Sequence, residues 1–125
     1  AAFGIARKSE VIRLHRRRDV KGKPVMHETF VLPAARLPDF PHRPREVPDL
    51  LYLHLLERYG IRVSSVRETV TAELATVEDR RVLALRAPAP VLVIDEIAYD
   101  QAGATTLLSR HRATTKGYCY INEVR

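Results

Sequence analysis

One cysteine, Cys119, is all the thiol chemistry in this 125-residue chain. It forms no internal disulfide, which fits a reducing compartment. Apolar runs stop at four or five residues, as at positions 91–94, whereas a membrane-spanning helix needs about 20. No span is predicted. The first ten residues, AAFGIARKSE, lack the charged start, apolar middle and cleavage site of a secretory leader. A cytoplasmic location is the expectation. Aromatic residues make up only 6% of the chain, a poor supply for a base-stacking platform. No HExxH, GxSxG or glycine-rich phosphate loop occurs, and there is no internal repeat.

What remains is the composition of an ordinary globular domain, 46% apolar and 29% charged, with room for one domain. The net charge of +6 is uneven. Most of the excess lies in residues 1–50, around Arg13, Arg16, Arg17, Arg18, Lys21 and Lys23. Such a patch points to an anionic partner, a small molecule or a nucleic acid, or else to a solvated hairpin. Direct DNA binding is the weaker reading, because no helix-turn-helix is legible: the leucine-rich helix has few basic residues and a strand follows it.

Residues 9–19 and 25–32 alternate with the strand period, and the VKGKP turn between them predicts an antiparallel hairpin. Five prolines between 33 and 48 exclude a helix or central strand there; the stretch reads as a long irregular connection of the kind that often carries function. Residues 49–59 predict a helix with Asp49 as N-cap, a buried stripe of Leu51, Leu55, Leu56 and Tyr59, and Gly60 as left-handed terminator. A strand over 61–75 follows, with a phase change that predicts a bulge near Ser64 and Ser65. Thr76 and Asp79 form a capping box that opens a helix over 77–85. Strands at 90–100, 104–113 and 118–124 complete the order. The expected class is α+β, a mainly antiparallel sheet with a few short helices.

Chemistry follows from the faces of these strands. If Ile12 and Leu14 point inward, Arg16 and Arg18 point the same way, and Glu28 interrupts the apolar face of Met26, Phe30 and Leu32. Two readings stand open. One is a pocket in which guanidinium forks grip a carboxylate or phosphate. The other is a structural ion pair at the rim. His15 and His27 share the opposite face as a surface pair, with no third metal ligand marked by spacing. Ser64, Ser65, Ser109 and His111 show no nucleophile–base arrangement by spacing. Asp95 and Glu96, being adjacent, face opposite sides, and packing is the default role of Cys119.

Four blocks in order resemble one family: RLHRRRDVKGKPVMHETFVLP, LYLHLLERYGIRVSSVRETVTAELA, VLALRAPAPVLVIDEIAYDQAG and SRHRATTKGYCY. Together they are similar to the UTRA domain, the effector-binding module of HutC-like regulators in the GntR family of bacterial transcription factors. The resemblance spans residues 9–124. It implies a chorismate-lyase-like fold over residues 9–125, with residues 1–8 as linker from an N-terminal winged helix-turn-helix that would contact operator DNA. It further implies homodimerisation, an anionic small-molecule effector, and no cofactor, metal or catalytic group. By resemblance the effector contacts are Arg16, Arg18 and Glu28, then Leu50, Tyr52, Leu107, Ala113 and Tyr118. Members binding amino-sugar phosphates usually carry a small hydroxyl residue where Leu50 stands and more polar residues at Leu107 and Ala113. They also carry a basic pair at Asp95-Glu96 and GDRY at residues 115–118. These departures imply a larger or more apolar organic anion. The competing readings are an enzyme of the same fold, since fold does not fix function, and nucleic-acid contact through the basic hairpin. The enzyme has no placed acid or base to support it.

Overall fold

Two long strands, β1 (Val11–Val20) and β2 (Lys23–Pro33), form the expected hairpin in the computed structural model, which describes residues 10–86 and 88–123. Lys21 and Gly22 both take positive φ at the turn, matching the right-handed twist of the flanking strands. Then come α1 (Leu51–Tyr59), β3 (Val63–Leu74), α2 (Val77–Leu83), β4 (Pro90–Asp100) and β5 (Thr105–Thr114). The strands make one antiparallel sheet in the order β1-β2-β5-β4-β3. This is the α+β, chorismate-lyase-like architecture. No helix among the described residues is long and apolar enough to cross a membrane.

One sheet face is covered by α1 and by the proline-rich segment. Leu51 and Leu55 of the helix pack with Leu14, Phe30, Leu32, Ala98 and Leu107 of the sheet. The proline-rich segment is no passive connection: Leu37 and Phe40, between single 3-10 turns at Ala34–Arg36 and Pro44–Glu46, and Val47, just after the second turn, are buried in the same core. The Phe40 and Tyr59 rings stack beside it, and His54 meets both edge to face. The stripe on α1 is narrower than predicted, because Leu56 is exposed. Nor does Asp49 cap the helix. Leu50 takes the cap position with no side-chain bond, and Asp49 instead offers its carbonyl to the N–H of Leu51. Gly60 closes the helix at φ 67°, its N–H donating to the carbonyls of Leu55 and Leu56. A side chain there would meet the left-handed penalty.

The other face carries α2, which lies against β2. Its capping box is formed as predicted: Thr76 Oγ1 accepts from Asp79 N at 3.0 Å and Asp79 Oδ2 accepts from Thr76 N at 2.9 Å. The helix ends at Leu83, earlier than predicted, because Ala84 is left-handed at φ 52°. The bulge in β3 falls between Val63 and Ser65. This edge strand is exposed from Ser64 onward, Val66 and Val70 included.

One predicted strand is absent. Residues 115–123 form no strand, although 118–124 alternate like one. β5 is flanked on both sides by β2 and β4, so a chain leaving it has no free edge alongside. Gly117 (φ 79°) follows in a turn. Tyr118, Cys119 and Tyr120 then border a hollow with Met26, Leu92, Ile94 and Ala113, and Cys119 is exposed. The proposed linker at 1–8 lies outside the described residues.

Candidate functional site

Register builds the site. Arg16 on β1 stands opposite Glu28 on β2, which stands opposite His111 on β5. One step along, Phe30, Ser109 and Glu96 continue the row across β2, β5 and β4. All project to the face that α1 covers. Glu28 is the hub. Its Oε2 accepts from Arg16 Nε and from Arg18 Nε, each at 3.0 Å, and its Oε1 accepts from His111 Nδ1 at 2.9 Å. Arg16 is tied further to the carbonyls of Pro48 and Asp49 at 3.0 and 3.3 Å, and its guanidinium lies 5.0 Å from the Phe30 ring centre. Arg18 reaches the Asp49 carbonyl at 3.4 Å but is about half exposed, with 48% of its side chain open.

These contacts decide the charge states. Burial alone would raise the Glu28 pKa; the hydrogen bonds from His111 and Arg18 outweigh it and bring the value down to about 2. A carboxylate can only accept, so His111 Nδ1 carries a proton and its Nε2, 3.1 Å from Ser109 Oγ, is free to accept from that hydroxyl when the ring is neutral. Across the hollow, the Tyr52 hydroxyl donates to Glu96 Oε2 at 3.3 Å. Burial, reinforced by Glu96, raises the Tyr52 pKa above its ordinary value. Glu68, paired with Glu96 across β3 and β4, is pushed upward by burial and by that neighbour, and Tyr120 donates its hydroxyl to Glu68.

The string Ser109–His111–Glu28 has the order of a hydrolase triad, and spacing alone did not disclose it. Ser109 is buried in the central strand β5, however, where neighbouring backbone N–H groups belong to ladders on both sides. They are not grouped as donors toward a reacting oxygen, which an acyl-transfer site requires. The string is a polar relay that fixes the His111 ring.

Of the predicted site residues, Arg16, Arg18, Glu28, Leu50 and Tyr52 line one hollow of about 350 Å³ together with Glu96 and His111. Ala113 and Tyr118 line a second, apolar hollow of about 360 Å³. It begins one same-face step along the strands, at Met26 and Ala113 next to Glu28 and His111. Leu107 borders neither; it is fully buried under α1. A larger hollow of about 460 Å³ borders the proline-rich segment, but its Arg13, Asp39, His42 and Arg43 are exposed rather than held in place. His111, Ser109 and Glu96 are the site residues that sequence reasoning missed.

The UTRA domain family matches residues 1–118. The chain belongs to the UTRA domain family. As a UTRA domain it is a ligand-sensing regulatory domain and not an enzyme. Solved structures share its fold, among them the following three. A GntR-family transcriptional regulator from Enterococcus faecalis V583 superposes with TM-score 0.88 at 15% identity, over 98% of this chain and 87% of that one. The effector domain of PhnF from Mycobacterium smegmatis gives 0.85 at 23%, over 99% and 75%. The effector-binding domain of the trehalose repressor TreR of Bacillus subtilis gives 0.82 at 16%, over 99% and 85%. Among curated proteins, no sequence matches this UTRA domain.

Proposed function

We propose that this UTRA domain senses a small organic anion, gripped by Arg16 and Arg18, for a HutC-type GntR regulator. The observation that carries the reading is the pair of guanidinium forks held side by side at the hollow under the start of α1. Glu28 has both oxygens occupied. Its part is to fix the two forks, and the exposed Arg18 is the one with donors to spare for a carboxylate or phosphate. Tyr52, Glu96 and His111 supply orienting hydrogen bonds, and the neighbouring apolar hollow takes the organic body. Leu50, 68% exposed at the rim, adds apolar surface. Solved relatives described as effector domains support this use of the fold.

In the complete regulator, operator DNA would be contacted by a winged helix-turn-helix, in the cytoplasm. Two copies would pair, and the exposed edge strand β3 is a surface open to such pairing. The effector can shift the regulator only by binding one of its states better than the other, and that coupling is reciprocal.

Thermal melting of the domain against matched anionic and neutral compounds tests the reading. Benzoate, a hexose phosphate and inorganic phosphate represent the anions, and benzamide is the neutral counterpart of benzoate. A ligand that binds only the folded state raises the melting temperature. Benzoate is expected to raise it and benzamide not. Equal shifts with the two would remove the charge from the recognition.

A further inference from the structure

On the sheet face opposite the effector hollow, three side chains from three elements meet: His15 of β1, His27 of β2 and Glu78 in the first turn of α2. Their candidate ligand atoms all lie within 4.8 Å of one another. His15 Nε2 is 2.9 Å from His27 Nδ1, and Glu78 Oε1 is 3.8 Å from that same nitrogen. The two rings meet edge to face at 85°. We propose that this cluster binds a divalent transition ion of the zinc type.

Tetrahedral zinc with bonds near 2.0–2.1 Å places its ligands about 3.3 Å apart. The separations from His27 to His15 and to Glu78, 2.9 and 3.8 Å, bracket that value, and the exposed His15 and Glu78 side chains, within 4.8 Å of each other, are free to close on the ion. Two imidazoles and a carboxylate suit zinc, cobalt(II) or nickel(II), whereas magnesium and calcium take oxygen donors. The fourth position faces solvent and is left for water.

The supporting groups point the same way. His27 is buried, and its Nε2 lies 2.7 Å from Asp79 Oδ1. The carboxylate accepts, so Nε2 carries the proton and Nδ1 turns its lone pair toward His15 and Glu78. Asp79 is itself fixed by Arg112 and by the Thr76 backbone N–H. A histidine oriented by a carboxylate on its far nitrogen is the usual support of a metal ligand. Several nearby cations have carboxylate partners of their own: Arg112 pairs with Asp79 and Glu73, Arg110 with Asp95, and Arg17, opposite His27, with Asp19. His15 and Glu78 are exposed, so an ion enters from solvent. Without an ion, His15 Nε2 donates to His27 Nδ1; the ion takes the place of that proton. Once bound, it staples the edge strand β1 to α2.

Calorimetry and thermal melting of the untagged 125-residue chain with zinc chloride test the proposal. One ion per chain, a raised melting temperature reversed by EDTA, and no response to magnesium are expected. Replacing zinc with cobalt(II) should give the visible absorption of a tetrahedral nitrogen–oxygen site. His15→Gln and Glu78→Gln alter exposed side chains and leave the core alone; each should weaken zinc binding by about tenfold or more. Cys119→Ser should bind zinc as the native chain does. Absence of stoichiometric binding, native affinity in His15→Gln, or loss of binding in Cys119→Ser would each overturn the site.

Discussion

Asp79→Ala is expected to destabilise the domain by about 3–5 kcal/mol, the range for removing one partner of a buried charge pair. Asp79 is fully buried, yet its carboxylate is ionised. Burial pushes its pKa up, but the hydrogen bonds from Arg112, His27 and the Thr76 backbone more than reverse this and hold it far below the ordinary carboxylate range. Three groups would lose their partner together. The Arg112 guanidinium, only 12% exposed, makes contacts of 2.8–3.1 Å to both carboxylate oxygens. His27 Nε2 would be buried without an acceptor, and α2 would lose half of its capping box. Asp79→Asn keeps a cap acceptor while removing the charge, so it should fall between the two. Urea unfolding reads this as a lower midpoint with an unchanged slope. A loss below about 1 kcal/mol for Asp79→Ala would show that α2 does not depend on this network.

The second large effect is acid sensitivity centred on Glu28. Its pKa is lowered from 4.5 to about 2 in the folded domain. A depressed carboxylate contributes stability that is complete above the unfolded value and is lost as pH falls through the folded one. At 1.36 kcal/mol per unit, that is about 3 kcal/mol disappearing between pH 4.5 and 2. Glu28→Gln removes this titration. The variant should be less stable at neutral pH, because an amide oxygen replaces a carboxylate that serves two guanidinium groups and an imidazole. Its stability should also change less with pH in that window. Asp79 and Asp100 titrate downward in both proteins, so the difference between the two pH profiles isolates Glu28. Parallel profiles would contradict the assignment of Glu28 as hub.

Local signals in the sequence were enough for several of these features. Strand alternation alone placed Arg16, Arg18 and Glu28 on one face, and adjacency alone separated Asp95 from Glu96. The first now pairs with Arg110, the second with Tyr52. The Thr76–Asp79 box and Gly60 were legible because capping is decided within a few residues. What escaped depends on distant pairing. His111 meets Glu28 across 83 residues of chain, and only the placement of β5 beside β2 brings them together. His27 was expected at the surface and is instead covered when α2 folds against the back of β2. The proline-rich segment showed no period, so nothing marked Leu37, Phe40 and Val47 as core. Asp49 is the right residue type one position early, and its backbone is used where the side chain was expected. The strand read at 118–124 failed because alternation says nothing about whether a sheet edge is available.

Recognition of an organic anion by Arg18 is tested most directly by calorimetry. The anion with the largest thermal shift is titrated into the native domain and into Arg18→Ala. Arg18 is half exposed, so its removal leaves the Arg16–Glu28–His111 core intact. Loss of a charge-assisted hydrogen bond is worth about 1.5–3 kcal/mol, and the affinity should fall about ten- to a hundredfold. An unchanged affinity in Arg18→Ala would contradict the account.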